Sequence, residues 1–348
     1  MSDKTIRIGI IGGGGIVRSR HMPGLQKIQG VQVAAVCNRS RESGERFAKE
    51  YGIPEVVDQW ERLIDRPDLD AVLIGTWPYM HRILSVAALD AGKHVFCQAR
   101  MALDYEDAKA MYLRARRSDR VTMLCPPPHG MPGDYMIQKL IKDGYVGKVY
   151  AASVRAFGDS FADPDAPFHW RQNRDLSGYN TLILGMLAEV MRRWLGDTRT
   201  ISAYGKAFIT DRKDPATGQR RRVGVFDTLM VSSETESGAL VQYAFSGVTR
   251  FGGHDTVEIF GSEGTIRYDL AANEISGARQ GDKELKPIPV PKELVRAWTV
   301  EQEFVDAVRT GKEAHPDFWD GLKYMEFTEA AYRSAESGRR VDLPFERL

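Results

Sequence analysis

Four consecutive glycines follow the first predicted strand, Ile6–Ile11, and no other segment constrains the fold of this chain as strongly. The run covers residues 12–15 and stands between an isoleucine-rich strand and a predicted helix. This order is typical of the first strand and helix of a dinucleotide-binding domain. Gly12 allows the tight turn after the strand, and Gly14 lets backbone N–H groups approach a pyrophosphate. The sequence therefore predicts a bound dinucleotide at this turn.

The helix after the glycine run supports the same prediction. Gly15 and Ile16 lie at its N-terminus, where the helix dipole and unpaired N–H groups favour a phosphate. The third position of the usual fingerprint is occupied by Val17, which is larger than the glycine or alanine normally found there. A glycine-rich surface turn is the alternative interpretation, and the alternating elements that follow favour the binding turn.

Predicted strands and helices alternate through residue 125, with short turns between them. This alternation predicts an α/β fold with a doubly wound parallel sheet, covered by helices on both faces. Residues 1–125 are therefore predicted to form a dinucleotide-binding Rossmann domain. Its strands are expected at Ile6–Ile11, Val31–Cys37, 71–76, His94–Cys97 and 121–125.

Three prolines at residues 126–128 end the alternation and are interpreted as a domain boundary. Consecutive β-type segments follow, which predict an α+β domain with a large open, mostly antiparallel sheet. Residues 126–348 are therefore predicted to bind substrate and to mediate oligomerisation. Strands are expected there at Val149–Phe157, 200–209, 223–232, 239–245, 256–260 and 265–268, and helices at 134–143, 181–194, 299–308 and 317–337.

Charge and hydropathy narrow the class of partner. The chain carries 48 basic and 47 acidic residues, so no overall field favours nucleic acid or an anionic membrane. It shows no signal-peptide pattern and no apolar segment of about 18 residues. We therefore expect a cytoplasmic protein without nucleic-acid or membrane partners. Its three cysteines lack metal-ligand spacing, so neither a disulfide nor a metal site is predicted for Cys37, Cys97 and Cys125.

The end of the second strand bears on the choice of dinucleotide. An acidic residue there usually binds the ribose 2′-hydroxyl of NAD(H), whereas this chain has Asn38, Arg39, Ser40 and Arg41. Guanidinium groups bind phosphate through paired donors, so the sequence favours NADP(H). NAD(H) is the alternative, because Arg39 and Arg41 could instead lie in solvent or stack on the adenine.

Two further segments carry a family resemblance. Residues 75–81 are Gly-Thr-Trp-Pro-Tyr-Met-His, and residues 91–97 are Ala-Gly-Lys-His-Val-Phe-Cys. Together with the glycine run, the turn at 261–265 and the closing segment 335–344, they resemble the Gfo/Idh/MocA oxidoreductases, the glucose-fructose oxidoreductase and inositol dehydrogenase family. The resemblance implies NAD(P)-dependent hydride transfer on sugars, polyols or sugar acids, and a homodimer or homotetramer formed through the open sheet. It also implies that the nicotinamide side is lined by Thr76, Trp77, Pro78 and His81, with Gln98 beside them.

The chain departs from that family where the catalytic lysine is expected. The family carries Glu-Lys-Pro there, and this chain has Gln98, Ala99 and Arg100. Arg100 cannot replace the lysine as a base, because a guanidinium keeps its proton, although it can bind an anion or polarise a carbonyl. The family's acid and histidine on a helix of the second domain are also replaced, by Ile183 and Leu187.

A polar segment before that altered helix contains candidates for the missing proton handler. His169 could act as a base near neutral pH, and Tyr179 could do so beside a cation such as Arg100 or Arg171. Asp175 could orient either side chain. The alternative is ordinary structure, with His169 packed at a domain interface and Asp175 capping a helix.

The same segment is the candidate for substrate binding. Arg100 and Arg171 would suit an anionic or densely hydroxylated substrate, and His169, Tyr179 and Asn180 would add hydrogen bonds. A salt bridge to an acidic residue would explain either arginine equally well.

Three functions are consistent with these residues. The first is an NAD(P)-dependent oxidoreductase acting on a sugar-like substrate with a non-standard proton relay. The second is a redox-neutral glycosidase or lyase of the same family, which oxidises its substrate transiently. The third is a non-catalytic sensor that binds a dinucleotide and a sugar, and the loss of both family catalytic elements is its best support.

Overall fold

The first part of the chain forms five strands: β1 (Ile6–Ile11), β2 (Val31–Cys37), β3 (Ala71–Ile74), β4 (His94–Cys97) and β5 (Thr122–Leu124). In this computed structural model, which describes residues 5–125, 131–180 and 182–348, they make one parallel sheet in the order β2-β1-β3-β4-β5. The predicted Rossmann sheet is thereby confirmed. Its order reverses between β1 and β3, so the loops after these two strands open side by side at the carboxyl edge.

Short helices connect these strands. A π-helical turn at Val17–His21 continues into α1 (Met22–Leu25), and it is followed by α2 (Arg41–Tyr51), α3 (Trp60–Ile64), α4 (Pro78–Asp90) and α5 (Tyr105–Ala115). The side chain of Ser40 caps α2 by accepting a hydrogen bond from the Ser43 N–H, and Gly52 ends α2 with a φ of 68°. Pro78 occupies the first turn of α4, where its missing N–H costs nothing.

Backbone contacts divide the chain into two units. The first contains the described residues up to 125 and Thr299–Met325, and the second contains those of 131–298 and Glu326–Leu348. The prolines expected to mark the boundary fall in residues 126–130, which lie outside the described part of the chain. Residues 299–325, expected in the second domain, group with the first because α9 (Val300–Thr310) packs against α1 and the Leu124 N–H bonds to the Pro316 carbonyl.

The second unit contains nine strands of one mixed sheet: β6 (Val149–Phe157), β7 (Thr198–Lys206), β10 (Thr228–Thr235), β11 (Leu240–Ser246), β12 (Thr256–Gly261), β13 (Gly264–Asp269), β14 (Glu274–Arg279), β15 (Lys286–Ile288) and β16 (Val341–Asp342). Their order is β15-β14-β13-β12-β6-β11-β10-β7-β16. The β6–β11 pair is parallel and the other pairs are antiparallel, which confirms the predicted mostly antiparallel sheet.

Several local predictions for this unit differ from the structure. The predicted strand at 223–232 begins only at Thr228, because Val223 and Val225 pack against Phe168 instead. Strands β14 and β15 were not predicted, since Gly277 and Pro287 weaken their strand pattern. A separate hairpin, β8 (Asp211–Lys213) and β9 (Arg220–Arg222), occupies the connection expected there.

One face of the large sheet forms the core of the second unit. It packs against α8 (Leu184–Leu195) and the second half of α10 (Phe318–Ser337). The unit also contains α6 (Asp134–Lys142) and α7 (Arg174–Ser177). The helix expected at 181–194 therefore begins at Leu184, and Thr181 lies outside the described residues. Leu187 is buried in this core and Ile183 packs against it, so both side chains serve packing.

The opposite face of the sheet remains exposed and apolar in part. Adjacent strands place Tyr204, Met230, Leu240 and Phe260 on it, with exposed fractions of 83%, 38%, 60% and 38%. No helix within the described ranges is long and apolar enough to cross a membrane. All three cysteines are buried free thiols, and burial raises the pKa of Cys37 to about 11.

Candidate functional site

The glycine run forms a tight turn held by the ends of β2 and β3. Gly12 has a φ of +91° and donates its N–H to the Cys37 carbonyl at 2.9 Å. A Cβ on Gly12 would lie 2.7 Å from the Thr76 nitrogen, and a Cβ on Gly13 would lie 2.7 Å from the ring of Phe47. Both positions therefore require glycine.

The next two glycines face open space. A Cβ on Gly14 would have the Gly75 carbonyl oxygen at 3.8 Å as its nearest neighbour, and one on Gly15 would meet no atom within 4 Å. The helix starts here, since the Arg18 N–H bonds to the Gly14 carbonyl at 3.0 Å with Ile16 in helical conformation. Its first N–H groups have no partner within the helix. A cavity of about 350 Å³ lies against this turn, so these residues fit a dinucleotide pyrophosphate.

The large Val17 is accommodated by a glycine elsewhere in the chain. Val17 is fully buried, and its side chain fills the position that a Cβ on Gly75 would occupy. Gly75 follows β3, so the space normally supplied by the third fingerprint glycine comes from the neighbouring strand. Sequence reasoning missed this role because the two residues are distant in sequence.

The residues after β2 divide into different roles. The Asn38 Oδ1 accepts a hydrogen bond from the Gly13 N–H at 2.7 Å, which leaves its amide hydrogens for another acceptor. Arg39 is exposed and lines the cavity. Arg41, predicted beside it, instead donates to Glu45 Oε1 at 2.8 Å and to both oxygens of Asp58 at 2.9 and 3.1 Å.

The loop after β3 contributes Thr76 and Trp77 to the cavity lining, and Pro78 begins α4. His81, predicted on the nicotinamide side, is instead almost fully buried. Its Nε2 faces the Thr76 carbonyl at 3.0 Å, and its Nδ1 faces the Arg100 and Met101 carbonyls at 3.0 and 3.1 Å. Burial lowers the pKa of His81, while the backbone hydrogen bonds oppose that shift. His81 therefore ties the loop after β3 to the loop after β4.

The loop after β4 carries Gln98, Ala99 and Arg100. Gln98 is buried and contacts the Nε2 atom of His21. Arg100 is partly exposed, and its carbonyl is one of those that face His81. Residues 98–100, which follow β4 at the carboxyl edge of this sheet, contain no lysine.

His169 lies in the second unit at the start of a short 3-10 turn, Trp170–Gln172. Its Nδ1 accepts a hydrogen bond from the Arg171 N–H at 3.3 Å, so the neutral ring carries its hydrogen on Nε2. Burial and the nearby charge of Arg171 lower the pKa of His169. The exposed ring therefore presents a hydrogen-bond donor, and using Nε2 as a base requires loss of this cap.

Tyr179 has a different cationic neighbour from the two that the sequence suggested. The Arg174 guanidinium donates to the Tyr179 hydroxyl and lies 4.2 Å from the centre of its ring. The ring of Tyr332 also packs against the ring of Tyr179, with ring centres 4.8 Å apart. Arg171 instead lies 4.4 Å from the centre of the Trp170 ring.

The remaining predicted residues of this segment have local roles. Asp175 is strongly exposed and lies 3.8 Å from Arg221, and the cap of α7 is the Asn173 side chain. Asn180 is buried and donates to the Ser177 carbonyl at 2.9 Å. Asn180 therefore supports the turn, and neither of these contacts joins Asp175 or Asn180 to His169 or Tyr179.

Sequence reasoning also missed Arg212, which organises the start of this segment. Its side chain is 1% exposed and donates to the carbonyls of Asp163 at 2.5 Å, of Ala166 at 3.1 Å and of Phe161. An arginine in a charged hairpin has no sequence signal that distinguishes a buried cation from a solvated one. Only the tertiary contacts reveal it.

Three potential metal ligands also meet in the first unit, at His315, Asp317 and Asp320. The Asp317 Oδ1 accepts from the N–H groups of Trp319 and Asp320 at 2.8 and 3.0 Å. The Asp320 Oδ2 accepts from the Asp317 N–H at 3.1 Å and pairs with His315. These bonds are those of a helix cap, and they explain the cluster.

Solved structures and curated proteins resemble this chain over most of its length. Levoglucosan dehydrogenase of Pseudarthrobacter phenanthrenivorans is 23% identical, covering 89% of this chain and 89% of that protein. D-apiose dehydrogenase of Paraburkholderia graminis is 26% identical, covering 96% of this chain and 89% of that protein. A levoglucosan dehydrogenase structure in complex with NADH and L-sorbose has the same fold, with a TM-score of 0.88 and 23% identity over 97% of this chain and 99% of that chain.

Two family models match the chain in the order of its parts. The model described as the oxidoreductase family with an NAD-binding Rossmann fold matches residues 6–125. The model described as the GFO/IDH/MocA C-terminal domain matches residues 136–267, and the two together cover more than half of the chain. This chain therefore belongs to the Gfo/Idh/MocA family of oxidoreductases, with an NAD-binding Rossmann fold in its N-terminal part.

Proposed function

We propose that this oxidoreductase transfers hydride between a nicotinamide dinucleotide and a hydroxyl-bearing carbon of a sugar, polyol or sugar acid. The glycine turn carries the proposal, because Gly12, Gly13 and Gly14 line a cavity and because Gly12 and Gly13 tolerate no side chain. The relatives named for levoglucosan and D-apiose support a carbohydrate substrate. When bound, the nicotinamide ring would accept or donate the hydride.

The residues of the first unit would hold the cofactor. N–H groups at the start of the helix would bind the pyrophosphate, and Asn38 would donate its free amide hydrogens to the adenosine ribose. Thr76 and Trp77 would line the cavity beside them. The two loops that His81 ties together would keep this wall in place.

Arg39 supports a preference for NADP(H) over NAD(H). It is the exposed cation after β2 that lines the cavity, whereas Arg41 is engaged with Glu45 and Asp58. Since a charge-assisted hydrogen bond contributes about 1.5 to 3 kcal/mol, Arg39→Ser should lower kcat/KM for NADP⁺ at least tenfold and leave NAD⁺ nearly unchanged. Arg41→Ser is the matched control. Equal losses in both variants, or better wild-type turnover with NAD⁺, would contradict the preference.

We assign proton handling to the polar segment of the second unit. Tyr179, with its hydroxyl bound by Arg174, is the candidate to exchange the proton of the reacting hydroxyl. His169 would donate a hydrogen bond from Nε2, and Arg171 would attract an anionic or hydroxylated substrate. Arg100, in the first unit, is a candidate anion-binding group that cannot release its proton.

The direct test is a substrate panel. Purified protein would be mixed with NAD⁺ or NADP⁺ and with anhydrosugars, inositols, aldoses and sugar acids, while the absorbance of reduced nicotinamide is recorded. We expect that absorbance to rise with at least one class. Turnover that releases a leaving group without net absorbance change would instead support the redox-neutral glycosidase or lyase. Dinucleotide binding without turnover across the panel would support the sensor.

The same proposal includes a homodimer or homotetramer in the cytoplasm. The exposed Tyr204, Met230 and Leu240 on the open sheet are suited to burial against a second copy. Three buried free thiols are consistent with a reducing compartment. Light scattering during size-exclusion chromatography would test the assembly, and a monomer at micromolar concentration would contradict it.

A further inference from the structure

Three buried polar side chains in the first unit form a chain that the binding of pyrophosphate does not explain. Glu301 from α9, His21 from the π-helical turn and Gln98 after β4 are at most 4% exposed. The His21 Nδ1 lies 2.5 Å from Glu301 Oε1, and the His21 Nε2 contacts the Gln98 side-chain nitrogen. Burial of such groups costs free energy even when they are paired, so packing alone gives no reason for them.

The surroundings hold this chain in one position. The His21 ring stands edge-on to Phe96 with ring centres 5.0 Å apart, and Phe96 contacts Phe304 of α9 at 5.5 Å. Gly24 lies directly against the Glu301 carboxylate, where a Cβ would overlap it. The two aromatic rings and the glycine therefore leave the histidine and the carboxylate little freedom.

The bonding pattern also determines the orientation of the Gln98 amide. An ionised carboxylate only accepts hydrogen bonds, so Nδ1 of His21 donates to Glu301. The Gln98 side-chain nitrogen contacts Nε2 of His21, so the NH₂ group of Gln98 is the donor of this contact and Nε2 is its acceptor. The carbonyl oxygen of Gln98 is thereby left to accept a hydrogen bond from a donor outside this chain of side chains.

We propose that Glu301 and His21 are positioning residues that orient the Gln98 amide, whose Oε1 accepts a hydrogen bond from the carboxamide N–H of the nicotinamide. This inference rests on the proposed function. Gln98 follows β4 at the carboxyl edge of the parallel sheet, where ligands bind in this fold. His21 lies in the helical segment that begins at the glycine turn, and π-helical turns are frequent at functional sites. The same helical segment would therefore bind the pyrophosphate at its N-terminus and contact Gln98 through His21 in its π-helical turn.

The test compares two ligands that differ by the nicotinamide ring. NADH and ADP-ribose would each be titrated by calorimetry into wild-type protein, His21→Leu, Glu301→Gln and Gln98→Ala. Glu303→Gln, on the same helix, is the matched control. We expect NADH affinity to fall about tenfold in His21→Leu and Gln98→Ala, the size of one lost hydrogen bond, and ADP-ribose affinity to stay within twofold.

The outcomes distinguish a purely structural role of His21 and Glu301 from a role in orienting the Gln98 amide. Equal weakening of NADH and ADP-ribose, or unchanged NADH affinity in every variant, would overturn the proposal. Glu301→Gln keeps the volume and a hydrogen-bond acceptor for His21, so it should bind NADH like wild type. Gln98→Ala leaves His21 and Glu301 in place and removes the proposed acceptor, so it gives the answer if His21→Leu fails to fold. A wild-type protein that binds neither of these ligands and does not bind NADPH would refute the proposed function itself, whereas wild-type binding with unselective variants refutes only the positioning role.

Discussion

The glycine turn of the first unit and the segment 161–180 of the second unit reach a defined geometry by opposite means. The turn depends on the absence of side chains, because a Cβ on Gly12, Gly13 or Gly75 would overlap neighbouring atoms. The segment depends on long cationic side chains. Arg212 binds three of its carbonyls, and the guanidinium groups of Arg171, Arg174 and Arg221 lie over the rings of Trp170, Tyr179 and Phe168.

This difference explains which family features are kept. Binding through backbone N–H groups depends on local chain geometry. That geometry is kept despite the large Val17 side chain, because Gly75 leaves room for it. Proton handling depends on particular side chains, and Ala99, Ile183 and Leu187 carry no titratable group. A backbone site can therefore persist while the side-chain chemistry next to it diverges.

The largest expected effect is a loss of the glycine turn. Gly12→Val adds a side chain at positive φ, which costs about 1 to 2 kcal/mol, and overlap with Thr76 adds about 1 to 3 kcal/mol. We expect the free energy of unfolding to fall by about 3 kcal/mol and NADH binding to be lost in calorimetry. Gly15→Ala, whose Cβ meets no atom, should unfold like wild type. Equal melting temperatures in Gly12→Val and wild type would refute the backbone argument.

The second-largest effect on stability is expected from removal of the buried Arg212 side chain. Arg212→Met leaves the carbonyls of Phe161, Asp163 and Ala166 without their charged donor, so we expect a loss of about 2 kcal/mol. Amide hydrogen exchange should rise first within residues 161–168. Arg222→Met, at an exposed position on β9, serves as the control and should stay within about 0.5 kcal/mol of wild type. Unchanged exchange in Arg212→Met would show that the hairpin does not support this segment.

A smaller effect is expected on catalysis. Tyr179→Phe removes the hydroxyl bound by Arg174, and His169→Ala removes the Nε2 donor. Each should lower turnover at least tenfold, about 1.4 kcal/mol in the activation free energy. Tyr150→Phe, an exposed tyrosine on β6, is the matched control. Wild-type rates in both Tyr179→Phe and His169→Ala would show that the proton is handled elsewhere.

The smallest effect concerns pH. Burial and Arg171 lower the pKa of His169, so the folded protein favours the neutral ring. Its contribution to stability is present above the ordinary histidine pKa and is lost as pH falls from that value through the lower folded value. In NMR titration we expect the pKa of His169 to lie below the ordinary histidine value, and Arg171→Gln should move it toward that value. A pKa at or above the ordinary value in the wild type would contradict this assignment.

Much of the fold was accessible to sequence reasoning because it depends on local patterns. The strands of the parallel sheet follow from apolar runs bounded by turns, and the glycine turn follows from spacing within ten residues of β1. The partners of Tyr179, His21 and Val17 were not accessible. Arg174, Glu301 and Gly75 are ordinary residues in sequence, and each gains its role from a contact that the tertiary fold creates.

The sequence by itself determined the two-part architecture, the dinucleotide turn and the absence of a lysine at residues 98–100. Each of these can be read from residue type and spacing along a few consecutive positions. Only the tertiary structure decided that Arg39 and not Arg41 lines the cavity, that His81 braces two loops and that residues 299–325 join the first unit. The physical reason is that burial and hydrogen-bond partners belong to pairs of residues distant in sequence, which a linear pattern does not specify.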